Sequence, residues 1–151
     1  SEMCIRDSIL AKAGGTQSAG ALEQTLMELA SVVSDPTPKL ILADELEAIT
    51  EPGAGARIIA GMLLAARAQK DTSMMLVTHL APAIIEASGV DDFRVDGIEA
   101  RGLDSDLELI VDRTPIRNHL ARSTPELIVK RLVERSNGHA KSLFDDILQM
   151  F

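Results

Sequence analysis

Leu40-Ile41-Leu42-Ala43-Asp44-Glu45-Leu46-Glu47-Ala48-Ile49-Thr50 is the stretch on which the reading of this chain turns. Residues 39–43 form a short apolar run closed by two adjacent carboxylates. Strands of parallel sheets are covered on both faces, so they read as unbroken apolar runs rather than as alternation; this run predicts a buried parallel strand. Asp44 and Glu45 then stand at its C-terminal tip, where α/β sheets open into a crevice and hold their ligands. Asp-Glu also closes many strands that simply enter solvent, so the neighbouring segments carry the weight.

Downstream, Ile58, Ile59, Met62, Leu63 and Ala66 recur at helical spacing within residues 53–66. Residues 74–77 predict a second buried strand with Thr78 and His79 at its tip, and Pro82 suits the first turn of a short helix running to about Ala87. Upstream, Leu22, Leu26, Leu29 and Val33 make the stripe of an amphipathic helix with Ser18 as its N-cap. Gly14 and Gly15 precede it, so a loop leads into free helical N–H groups that suit an anion, although an ordinary helix start reads equally well. Helix, strand, helix, strand, helix is the alternation of an α/β layer with a parallel sheet.

The character changes after Gly89. Residues 93–95, 98–101 and 107–111 are short β-prone runs, separated by turn chemistry at Asp96-Gly97 and Leu103-Asp104-Ser105; they predict a small antiparallel meander extending one edge of the sheet. Thr124 with Pro125 behind it starts a helix to about Glu134, Asn137-Gly138 ends it, and residues 140–150 predict a last helix.

The 151 residues allow one ordinary domain or a piece of one. With 46% hydrophobic and 25% charged residues, no Trp or Tyr and three Phe, the chain is globular in composition and its core is aliphatic. A formal charge of −8 excludes this segment as the main DNA-gripping surface, because such grip comes from Lys and Arg neutralising phosphates. No apolar run approaches the roughly 20 residues that span a bilayer, and no signal-type leader opens the chain; no membrane partner and a cytoplasmic location are expected. Residues 3–8 read MCIRDS, which resembles a translated transposon end used in sequencing libraries, so residues 1–8 are set aside as a scar. Cys4, the single cysteine, goes with them, which removes disulfide, zinc-finger and thiol chemistry.

Four apolar residues before Asp44-Glu45 match a Walker B element, and the order of segments around it resembles the second half of the MutS ATPase domain. Ser18 followed by Glu23 is similar to that family's signature helix. Asp44, Glu45, Thr50 and Gly55 fall where its Walker B and D-loop carry Asp, Glu, Thr and Gly, and His79 falls on its switch histidine. Residues 120–132 look like its closing segment, so the resemblance covers residues 9–135 and leaves 136–151 as a C-terminal helix. DELEAITEPGAG and SAGALE are closer to a divergent, archaeal-type branch of MutS homologues.

The resemblance implies an ABC-type P-loop NTPase fold that uses ATP and Mg²⁺. Asp44 would hold the metal, and Glu45 would act as general base. His79 would reach the γ-phosphate, and Ser18, Gly20, Glu23 and Thr50 would contact nucleotide. It further implies a homodimer or related subunit across the ATPase face and DNA contact through regions upstream of this chain. No G-x-x-x-x-G-K-[ST] occurs in the 151 residues, so the phosphate-cradling loop is missing from them. Two alternatives stay open: another ABC-type repair ATPase of the SMC and Rad class, and a non-catalytic module that dimerises through its last two helices. Arg113, Arg117, Arg122 and His119 read as partners of nearby acids, His139 as a loop residue, and Asp104, Asp106 and Asp112 as exposed strand or turn positions.

Overall fold

The computed structural model describes residues 19–151, which form two compact units divided between Phe93 and Arg94. Ser18, the glycines at 14 and 15 and residues 1–8 lie outside the described residues.

In the first unit, α1 (Ala19–Ser34) is followed by β1 (Lys39–Asp44), a 3₁₀ turn (Leu46–Ile49), α2 (Pro52–Arg67), β2 (Thr72–Val77) and α3 (Ala81–Ser88). The strands pair in parallel, Lys39 opposite Thr72 through Asp44 opposite Val77. Parallel strands need a long crossover, and the 3₁₀ turn with α2 provides it. Helix α2 begins where it does because the Glu51 carboxylate accepts the N–H groups of Gly53 (2.9 Å) and Ala54, and Pro52 fills the first helical position at no hydrogen-bond cost.

Burial follows the apolar spacing. Leu29 of α1, Leu46 and Ile49 of the 3₁₀ turn, Ala56, Ile59 and Ala60 of α2 and Ile84 of α3 form the core, with Ala43, Met74 and Leu76 of the sheet packed against it. Ile59 is wholly buried. Thr25 is buried as well, its hydroxyl donating to the Ala21 carbonyl at 2.9 Å. At the far end of the sheet Lys39 Nζ donates to the Asp35 carbonyl, Gln69 Oε1 (2.9 Å) and Thr72 Oγ1 (3.2 Å), and Gln69 donates on to the Val33 carbonyl. This ties the C-terminal ends of α1 and α2 to the starts of both strands.

The sheet itself corrects the expectation of two buried strands. Both alternate, and Leu40, Leu42, Met75 and Val77 are 64%, 68%, 63% and 62% exposed. All four stand on one face, because the parallel register sets Leu42 opposite Met75 and Asp44 opposite Val77. The described helices cover only the other face, so the apolar run is half used.

The second unit holds β3 (Ala100–Leu103) and β4 (Leu109–Val111), an antiparallel pair, followed by α4 (Pro125–Arg135) and α5 (Gly138–Leu148). The predicted meander shrinks to this pair, which is a sheet of its own and shares no strand with β1 and β2. Residues 93–95 form no strand: the chain opposite them turns left-handed at Asn118 (φ 52°), leaving a single Gly97–Ile116 bridge and one bond from His119 N–H to the Val95 carbonyl at 3.1 Å. Gly97 is required there, since a Cβ would lie 2.5 Å from the His119 carbonyl oxygen. The hairpin turn is made by Asp104, whose Oδ1 accepts the N–H groups of Asp106 (2.8 Å) and Glu108 (2.9 Å). Helices α4 and α5 pack on each other, and Glu108 holds Arg131 (3.3 Å) and Arg135 (2.9 Å) of α4. Helix α5 starts earlier than residue 140, because Asn137 serves as its N-cap position and Gly138, at φ 59°, already opens it.

Candidate active site at the strand tips

The parallel register brings the ends of β1 and β2 to one edge of the sheet, and with them Asp44, Glu45, Thr78 and His79. Asp44 is the last residue of β1 and points to the uncovered face with Leu40 and Leu42. At Glu45 the backbone turns left-handed (φ 49°, ψ 37°), a conformation that costs an L-residue roughly 1–2 kcal/mol. Two backbone bonds hold it: the Glu45 N–H donates to the Val77 carbonyl at 3.1 Å, and the Ala48 N–H donates to the Glu45 carbonyl at 3.1 Å. The first of these links the two strand tips directly.

The turn aims the Glu45 carboxylate toward β2, where Oε1 lies 3.8 Å from His79 Nε2. Both side chains are open to solvent, 66% and 74% exposed. At that separation the pair is an electrostatic neighbour rather than a direct hydrogen bond, with room between for water or a ligand oxygen. Thr78 is half-buried, and its Oγ1 accepts the Leu80 N–H at 3.0 Å.

The remaining sequence candidates are placed differently. Thr50 closes the 3₁₀ turn in extended conformation, one residue before the α2 cap, and is half-buried. Gly20 and Glu23 are exposed near the start of α1, where Glu23 borders an open, mostly apolar groove with Leu22, Leu26 and Met27. Among the described residues no hydrogen bond or ion pair joins Gly20 or Glu23 to the strand tips. Two features here were not singled out from sequence, the Glu51 cap and the left-handed backbone of Glu45. The Glu51-Pro52 dipeptide announces the first; a left-handed glutamate has no local sequence signal.

The acid and base groups at the tip are oxygen donors with one imidazole. Among the described residues there is no group of three or more His, Cys, Asp or Glu arranged to hold a metal ion alone. That donor set suits Mg²⁺, which binds through one or two carboxylates and takes its other ligands from water and substrate phosphates.

A parallel sheet with an Asp-Glu tip beside a Thr-His tip, on a MutS-type order of elements, defines the class, and comparison with known proteins agrees. Over 133 residues the chain is 45% identical to the DNA-binding protein MutS2 of Pyrococcus furiosus, a match covering 88% of this chain. The chain belongs to the MutS family over that stretch, and its likeness is to MutS2. It spans 23% of the length of that relative. No family model matches the chain, and no solved structure matches it.

Proposed function

We propose that these residues form the Walker B and switch-histidine portion of the ATP-hydrolysing, ABC-type P-loop domain of a MutS-like DNA repair or recombination protein. One observation carries the reading: the β1–β2 register sets Asp44-Glu45 and Thr78-His79 side by side, with the Glu45 carboxylate 3.8 Å from the His79 imidazole. Phosphoryl transfer to water asks a protein for positioning and charge stabilisation more than for covalent chemistry.

In this account Asp44 holds Mg²⁺ through water. Glu45 orients the attacking water and accepts its proton, and its exposure leaves the carboxylate able to reach a bound nucleotide. His79 donates to a γ-phosphate oxygen as charge develops there. When bound, Mg²⁺ would neutralise charge shared between the β- and γ-phosphates. Thr50 would present its hydroxyl near the crevice. Ser18, Gly20 and Glu23 would serve the nucleotide held by a second subunit, since nothing among the described residues brings α1 to its own strand tips. Hydrolysis then belongs to the dimer. The triphosphate itself would be cradled by a glycine-rich loop, and none stands in the 151 residues.

DNA binding, which the printed name of the Pyrococcus furiosus relative records for that protein, would be exercised here through regions outside this acidic chain. Among the described residues no helix is long and apolar enough to cross a membrane, which accords with a cytoplasmic repair protein. Glu45→Gln in a longer protein that includes this domain is the test: nucleotide binding should survive and turnover should fall.

A further inference from the structure

We infer that Thr78 is a positioning residue for His79. The distance from His79 to Glu45, 3.8 Å, is too long for a hydrogen bond that would fix the ring, and the imidazole is mostly in solvent. Its direction is therefore set mainly by the backbone on which it stands. That backbone is pinned on both sides. Before it, the Val77 carbonyl takes the Glu45 N–H at 3.1 Å, which ends β2 against the tip of β1. After it, the Leu80 N–H is taken by Thr78 Oγ1 at 3.0 Å, and the Leu80 carbonyl takes the Ile84 N–H at 3.0 Å as α3 begins.

Leu80 is the N-cap residue of α3 and has no oxygen in its side chain with which to cap. The Thr78 hydroxyl thus closes a three-residue turn whose middle member is His79. It fixes the angle at which the chain leaves the sheet and with it the exit of the His79 Cα–Cβ bond toward Glu45. Thr78 touches no reacting atom in this scheme and acts through the turn.

The catalytic consequence rests on the proposed role of His79, whereas the geometric claim can be tested without it. The experiment is NMR on the 151-residue chain, with Leu42→Glu and Met75→Lys introduced on the uncovered face to keep it monomeric. Thr78→Val keeps the shape of threonine and loses the acceptor; Thr78→Ser keeps the acceptor. A nuclear Overhauser contact between the His79 ring and the Glu45 side chain should be present with Thr78 and with Thr78→Ser, and lost with Thr78→Val.

Persistence of the contact in Thr78→Val would overturn the inference. Should Thr78→Val fail to fold, the Leu80 amide decides: with Thr78 in place it should exchange slowly, and exchange at the rate of an open chain would equally overturn the claim. ATP hydrolysis is not read in either measurement. Loss of the contact in Thr78→Val, beside a longer protein that hydrolyses no ATP, would sink the functional reading and leave the positioning role standing. An intact contact beside active hydrolysis would do the reverse.

Discussion

His79 and Glu45 show how little the identity of a residue says without the backbone beneath it. A Thr-His pair at the end of an apolar run is common, and so is Asp-Glu. What makes these four residues a candidate site is a left-handed turn at Glu45, held by the Val77 carbonyl, that brings its carboxylate toward the neighbouring strand. A donor aimed at a transferring phosphoryl group acts most strongly as charge develops, so its loss falls on kcat rather than on substrate binding. In a longer protein containing this domain, His79→Ala should lower kcat for ATP by ~100-fold while KM changes little. Steady-state kinetics separates the two, and a defect confined to KM would place His79 outside the reacting centre.

Among elements, those with the strongest periodicity were legible in the sequence. Residues 22, 26, 29 and 33 do mark the inner side of α1, and residues 58, 59, 62, 63 and 66 that of α2, because a helix in contact with a core must repeat its apolar positions near every 3.6 residues. The strand pairing followed from the length of the apolar runs and the helix between them. What could not be read was which face of β1 and β2 is covered, since an unbroken apolar run carries no alternation to tell the faces apart. The meander failed for a different reason: Asn118 takes a left-handed conformation and cuts pairing short, and a single asparagine does not announce that from sequence. At the site, the two tips were legible as positions, while the turn that aims Glu45 at His79 was not.

The uncovered face has a consequence for the isolated chain. Leu40, Leu42, Met75 and Val77 lie together in solvent on a two-stranded parallel sheet, an arrangement that folded proteins normally bury. The chain should therefore self-associate. Leu42 and Met75 face each other across the strands, so Leu42→Glu with Met75→Lys replaces apolar contact by an opposite-charge pair. Because both sites are exposed, folding stability should change by no more than about 0.5 kcal/mol per substitution. Sedimentation velocity should show the double variant monomeric at concentrations where the parent chain associates. Equal association in both would mean that another surface is responsible.

For the molecule as a whole, acid should loosen both units. In the first, bidentate pairing with Arg67 holds the Asp92 carboxyl below its ordinary value. In the second, Arg94 does the same for Asp96, and the Arg122 N–H, with His119 beside it, does so for Glu99. Each of these groups binds its proton more weakly in the fold than in the unfolded chain. Their contribution is thus complete above the ordinary carboxylate range, near pH ~4, and is lost as pH falls through the depressed folded values. Melting temperatures taken downward through that range should fall, and the fall should be shallower when Asp92→Asn and Asp96→Asn remove two of the groups. A pH dependence unchanged by these substitutions would assign acid sensitivity elsewhere.

Composition fits the same picture at this scale. A chain with a net charge of −8, spanning 23% of its MutS2 relative, can supply a metal carboxylate, a base and a γ-phosphate contact, and must leave DNA and the phosphate cradle to other parts of a longer protein. The account stands or falls on Glu45 as the base. The decisive measurement is single-turnover ATP hydrolysis by a longer protein containing this domain, with and without Glu45→Gln, alongside nucleotide binding by filter retention. An amide keeps the shape of the side chain and cannot take the proton, so binding should be preserved and hydrolysis slowed by at least ~100-fold, with ATP trapped in the dimer. Hydrolysis at the unaltered rate would contradict the assignment of this strand tip as the reacting centre.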